Sequence, residues 1–122
     1  MIRGIGVDVV DIERFRSSLT RTPSMRTRLF TAEELAYVAP KADPCRSLAA
    51  RFAAREAVMK AMGVGLGAFG FQEVWVTVAA SGQPSLCVTG AAARLAIDRG
   101  IGSWHLSLTH TDLVAVAYVV AE

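Results

Sequence analysis

The chain is poor in several features, and each scarcity narrows what it can be. It has two cysteines, Cys45 and Cys87, among 122 residues. Two thiols do not make a disulfide framework. With His105 and His110 they do not make a spaced zinc motif either. No apolar run approaches the roughly 20 residues of a membrane-spanning helix. The opening stretch MIRGIGVDVVDIERF lacks the layout of a signal peptide, because Asp8 and Asp11 interrupt its apolar part. The expectation is a cytoplasmic protein with no membrane association. Aromatic residues make up 7% of the chain and no basic run is interleaved with them, so nothing points to nucleic acid. The net charge of +2 is small; it permits an acidic partner without requiring one. No repeat, linker or low-complexity segment is present.

What is abundant is apolar. Hydrophobic residues form 52% of the chain and the mean hydropathy is +0.38, high for a small soluble domain. The length implies one domain over residues 1–122. Its surplus apolar surface is expected to meet another subunit.

Residues 2–10 alternate as a strand. Arg3, Ile5, Val7 and Val9 share one face; Gly4, Gly6 and Asp8 share the other. The second face leads two residues without side chains to a carboxylate. Two readings are open: space beside Asp8 for something other than side-chain packing, or a bulge or turn into the next helix with Asp8 as a cap. Asp11 caps a helix through Arg14, Phe15 and Leu19, and RTPSMRTRLF is a loop or broken helix. Thr31 and Glu34 make a capping box for TAEELAYVA, which Pro40 and Pro44 are expected to end. Ser47 is the expected cap of the Ala-rich helix that follows from Leu48 to Gly63. In GVGLGAFG, Gly65, Gly67 and Gly70 match a dinucleotide fingerprint, but they follow a helix and read as a turn. EVWVTV and SLCV are strands joined by SGQP. Gly90 to Arg99 is a short helix, and SWHLSLTH and LVAVAYVV form a final hairpin. The class is α+β, a small antiparallel sheet packed with helices.

The helix LAARFAAREAVMKAMG carries the chemistry. Leu48, Phe52, Met59 and Met62 fall on one side as a core stripe, with Arg51 and Arg55 at its edge. Glu56 and Lys60 lie four residues apart further round, beside Ala49, Ala53 and Ala57. A solvated ion pair is one reading, worth a few tenths of a kcal/mol. The other joins them to Asp8. Two carboxylates, a lysine and arginines suit a divalent metal with a phosphorylated ligand, since magnesium takes a couple of carboxylates and fills its remaining positions with water and phosphate oxygens. The strand WHLSLTHTD adds a polar face of His105, Ser107 and Thr109 ending in His110, which suits phosphate or a structural role. A Ser107–His110–Asp112 hydrolase triad is not supported, because no nucleophile elbow is present.

Together these stretches resemble the holo-acyl-carrier-protein synthase family, the small bacterial 4′-phosphopantetheinyl transferases. GIGVDVVDIERF, RFAAREAVMKA, SGQP and WHLSLTHT are similar to four family motifs in order and spacing. The resemblance implies the transferase fold and transfer of 4′-phosphopantetheine from coenzyme A to a serine of apo-acyl carrier protein. Adenosine 3′,5′-bisphosphate is the other product, and magnesium the cofactor. It also implies a role in lipid metabolism and fatty acid biosynthesis. By the resemblance, Asp8 and Glu56 hold the metal, and Glu56 and Lys60 are catalytic, Lys60 on the phosphates. Arg51 and His110 hold coenzyme A phosphate groups, while Gly82, Pro84, Ser107 and Thr109 line the nucleotide part. Arg14 docks the carrier protein, with Arg21, Arg26 and Arg28 as ordinary solvated arginines or an extension of that surface. The family is homotrimeric, with active sites between subunits. Gln83 departs from the pattern, standing where the family often has a basic residue. Arg55 is expected in an ordinary surface or interface ion pair. A non-catalytic coenzyme A-binding module is the rival reading, but it gains nothing from two adjacent carboxylates.

Overall fold

The computed structural model describes residues 1–122. The first strand, β1, runs Gly4–Asp11 and passes directly into helix α1, Ile12–Arg21. The Asp11 carboxylate accepts from the Arg14 amide at 2.9 Å and caps α1, whose Ile12, Phe15 and Leu19 are buried. The broken-helix segment is a short helix α2, Met25–Leu29. Helix α3, Ala32–Val38, opens with the capping box of Thr31 and Glu34.

Helix α4 starts earlier than its sequence signals imply. It runs Pro44–Met62, with Pro44 in its first turn and Asp43 at its N-cap. Pro44 is therefore an initiator rather than a terminator: a first-turn residue needs no amide hydrogen bond, and the proline ring presets φ. Ser47 lies inside the helix and does not cap it; its carbonyl accepts from Arg51 at 3.3 Å. The Asp43 carboxylate instead takes two bonds from Arg16, at 2.9 and 2.8 Å, tying α1 to the start of α4. Arg16 holds the Asp43 carboxyl at about 2, so this clamp is complete above the ordinary value of 3.8 and weakens as the pH falls towards 2. Gly63, left-handed at φ 70°, ends the helix.

A turn through Gly63–Gly70 and a 3₁₀ turn at Phe71–Glu73 lead to β2, Val74–Val78, and β3, Pro84–Val88. Helix α5, Gly90–Asp98, precedes β4, Trp104–His110, and β5, Val114–Ala121. The expected final hairpin is present, but β5 also pairs antiparallel with β1, giving a three-stranded sheet in the order β1-β5-β4. β2 and β3 form a separate two-stranded sheet.

Helix α4 is the axis of the molecule, supplying residues to both hydrophobic clusters. It is buried almost all round. Ala49, Ala53 and Ala57, which helical spacing sets beside Glu56 and Lys60, are fully buried. The reason lies opposite them: a Cβ on Gly4 would collide with the Ala61 carbonyl oxygen, and one on Gly6 with that of Ala57. The glycine face of β1 and the small-residue face of α4 are thus matched for backbone approach.

The largest correction concerns Arg55. It is no surface residue: its side chain and that of Glu34 are both 0% exposed. The guanidinium forks onto the carboxylate, Nη1 to Oε2 at 2.9 Å and Nη2 to Oε1 at 2.5 Å. Its Nε donates to the Phe71 carbonyl at 2.8 Å, and the cation lies 5.2 Å from the Phe30 ring centroid. Glu34 also accepts from the amides of Thr31 and Val76. Removing one partner of a buried pair strands the other charge, at a cost of about 3–5 kcal/mol. Arg55→Met is expected to lose stability of that order in urea denaturation; a loss below about 1 kcal/mol would contradict this role.

Candidate active site

Alternation along β1 sends Asp8 towards α4, one step beyond the two glycines. The close approach made possible by Gly4 and Gly6 therefore fixes the distance between Asp8 and the outer edge of α4. Lys60 reaches across: its Nζ donates to Asp8 Oδ1 at 3.1 Å and to the Val7 carbonyl at 3.0 Å. Lys60 thus pairs with Asp8 and not, as helical spacing suggested, with Glu56.

Glu56 lies one turn before Lys60 and is half-buried. Burial pushes its carboxyl above the ordinary range, the neighbouring Asp8 adds to the rise, and Lys60 opposes it. Asp8 and Glu56 line the same cleft. Two neighbouring carboxylates, one of them poorly hydrated, are a hard-oxygen donor pair whose repulsion a divalent cation relieves. These residues fit a magnesium ion that takes its other ligands from water and phosphate.

The carboxylates form one wall of a cleft of about 350 Å³ between β1, α1 and α4, which Arg14 also lines. Phe15 and Phe52 give the cleft an aromatic floor, with ring centroids 5.5 Å apart. Phe52 was assigned to the core; it is only half-buried, and its position four residues before Glu56 was the available sign that it borders the site. Arg14 and Arg21 also line a shallow concavity on the outer face of α1, of about 520 Å³.

The remaining predicted residues stand elsewhere. Register places Ser107 opposite Tyr118 and Val7, and Thr109 opposite Val116 and Val9, all on the sheet face away from α4. His110 is opposite fully buried Ala115, on the α4 side. The polar strand thus divides its groups between two faces. Gly82, left-handed at φ 90°, belongs to the exposed β2–β3 turn, and half-buried Pro84 opens β3. Arg51 is 5% exposed, makes one bond, to Ser47, and leaves its buried Nε without a partner. Burial pushes its guanidinium below the ordinary range, against the opposing pull of Glu34. Asp8, Glu56 and Lys60 converge within one chain. Ser107, Thr109 and His110 lie on the opposite edge of the sheet, with β5 between.

Gly6→Ala tests the foundation of this geometry. The added methyl must push β1 off α4, with an expected loss of about 3 kcal/mol or more. Stability within about 0.5 kcal/mol of the parent in urea denaturation would contradict the close approach.

Comparison with known proteins bears on the family and the fold. The model of the 4′-phosphopantetheinyl transferase superfamily matches residues 4–119. The chain is 49% identical to the holo-[acyl-carrier-protein] synthase of Micrococcus luteus, over 100% of this chain and 93% of that one. It is 50% identical to the synthase of the same name from Frankia casuarinae, over 98% and 96%. The crystal structure of the Neisseria meningitidis synthase superimposes with a TM-score of 0.90 at 34% identity, covering 100% and 99% of the two chains. The Bacillus anthracis synthase, solved in complex with CoA (3′,5′-ADP), gives 0.83 at 30% identity over 100% and 97%. With the family model matching residues 4–119 and the synthases matched in sequence over the whole chain and in fold, the chain belongs to the 4′-phosphopantetheinyl transferase superfamily.

Proposed function

We propose that this protein transfers 4′-phosphopantetheine from coenzyme A to a serine of apo-acyl carrier protein, with magnesium, releasing adenosine 3′,5′-bisphosphate. The observation that carries this reading is the convergence of Asp8, Glu56 and Lys60 at one end of a cleft that Arg14 lines. The serine oxygen forms a bond to the phosphorus that bears the pantetheine. The bond from that phosphorus to the bridging oxygen breaks, its electron pair leaves on the adenosine bisphosphate, and the serine proton passes to solvent water. Asp8 and Glu56 would hold the magnesium ion, which when bound polarises and screens the pyrophosphate. Lys60, about half-exposed beside Asp8, is placed to neutralise charge gathering on the leaving phosphate. Arg51 and His110 serve the coenzyme A phosphates, and Gly82, Pro84, Ser107 and Thr109 the nucleotide end. Arg14 meets the acidic carrier protein where the outer face of α1 joins the cleft.

The active unit in this reading is a homotrimer with sites between subunits. Two observations support it. The sheet face away from α4 exposes Ile5, Val7, Val9 and Tyr118, between 44% and 58% each, a contiguous apolar surface suited to a second copy. Ser107 and Thr109 lie on that same face, so association would carry them to the edge of a neighbour's β1. The reaction belongs to lipid metabolism, with fatty acid biosynthesis as its setting and the cytoplasm as its compartment. No helix is long and apolar enough to cross a membrane.

Mass spectrometry of apo-acyl carrier protein incubated with coenzyme A, magnesium and this protein is expected to show the added phosphopantetheine. An unmodified carrier would overturn the assignment. Glu56→Gln is expected to lower turnover at least 100-fold with the fold retained by circular dichroism; near-parental turnover would remove Glu56 from the site.

A further inference from the structure

Helix α1 forms one wall of the cleft that holds the carboxylates. It contributes Arg14, Phe15 and Ser18, while α4 contributes Phe52 and Glu56. The spacing of the two walls therefore depends on how α1 lies against α4. At its start α1 is firmly fixed. It continues β1 without a break, Asp11 caps it, and the Ile12 amide donates to the Leu113 carbonyl at 3.0 Å. Beyond that first turn its apolar hold is Phe15 and Leu19, in the cluster that includes Leu48 and Ala49 of α4. Apolar burial is non-directional, so alone it leaves a helix free to roll or slide.

One polar tie removes that freedom. Arg16 forks onto Asp43, Nη1 to Oδ1 at 2.9 Å and Nη2 to Oδ2 at 2.8 Å. Glu13 accepts from the Arg16 Nε at 3.2 Å and steadies the guanidinium from behind. The other side-chain bonds of α1 stay within the helix or its cap. The two partners of the fork are about one-third exposed, at 36% and 31%. A bidentate fork is the geometry in which a partly exposed pair keeps a fixed orientation. Asp43 is the N-cap residue of α4, about 20 Å along that helix from Glu56 at 1.5 Å per residue. The clamp thus touches none of the reacting groups. Arg14, two residues before Arg16, borders both the cleft and the outer concavity of α1.

We propose that the Arg16–Asp43 clamp fixes the roll of α1 against α4 and thereby presents Arg14 to the acidic carrier protein. The inference rests on the transferase reading above. It makes Arg16 and Asp43 positioning residues that act on the acceptor and not on the donor. Asp8, Glu56 and Lys60 stand on β1 and α4, outside the part of α1 that the clamp restrains.

The test is a split between the two substrates. Arg16→Met is expected to raise KM for apo-acyl carrier protein about tenfold, with kcat and KM for coenzyme A within about twofold of the parent. Asp43→Asn, which keeps a side chain able to cap α4, is expected to give the same pattern, and the double variant to be no worse than either single one. A carrier KM within about twofold of the parent, an equal rise for both substrates, or additive effects in the double variant would overturn the inference. Hydrogen exchange reads the clamp without turnover. In Arg16→Met the amides of residues 16–21 are expected to exchange about tenfold faster, with α3 and α5 at parental rates. Unchanged exchange in α1 would overturn the clamp while leaving the transferase reading intact. Faster exchange in a protein whose parent transfers nothing would overturn the transferase reading, and the docking role with it.

Discussion

The fork of Arg55 on Glu34 is the interaction around which the rest of the structure is arranged. One carboxylate completes the capping box of α3, receives a guanidinium from the middle of α4 and accepts the Val76 amide of β2. The same guanidinium takes the Phe71 carbonyl at the entrance to β2. Three elements distant in the chain are thus held by two side chains with no exposed surface. Such a pair adds little stability over an apolar replacement of both partners, yet its directional bonds admit one docking of α3 and β2 against α4. A rotation of α4 about its own axis would break the fork. The fork therefore also determines which way Glu56 and Lys60 face.

On the other side of α4 the constraint is steric. Gly4 and Gly6 admit the helix backbone, Ala57 and Ala61 present no bulk, and Asp8 is delivered to the helix edge by strand alternation. The carboxylate pair is thus a product of packing. Its charge repulsion is retained because α4 and β1 are held together by buried alanine and valine surface and by the neighbouring sheet. A rigid backbone contact beneath a charged pair is what preorganised electrostatics requires.

Much of this was legible in the sequence, and the misreadings share one cause. Asp8, Glu56 and Lys60 stood out as candidates by residue type and local spacing, and the existence and approximate extents of β1, α1, α3 and the final hairpin followed from alternation and caps, although β1 begins and ends later than its alternation suggests. Partners far apart in the chain could not be assigned. Arg55 meets Glu34 across 21 residues and Lys60 meets Asp8 across 52, and neither distance leaves a periodic trace. The glycines before Asp8 correctly signalled an empty face, but what fills it is a helix backbone. The insertion of β5 between β1 and β4 was likewise hidden, because antiparallel pairing of the chain's two ends has no local signal. That insertion separates His110 and the Ser107–Thr109 face from Asp8, which is why the proposed function assigns the polar strand to the carboxylates of another copy.

A site divided between chains can be read by mixing two defective ones. Glu56→Gln removes a carboxylate on the β1 side and His110→Ala removes the imidazole at the β4 edge. Under the proposed function, each variant alone is expected to be inactive in every interface. When the two are unfolded together and refolded, the account predicts that phosphopantetheinyl transfer reappears, because some interfaces then join an intact carboxylate pair to an intact histidine. A mixture as inactive as either variant alone would contradict the shared site.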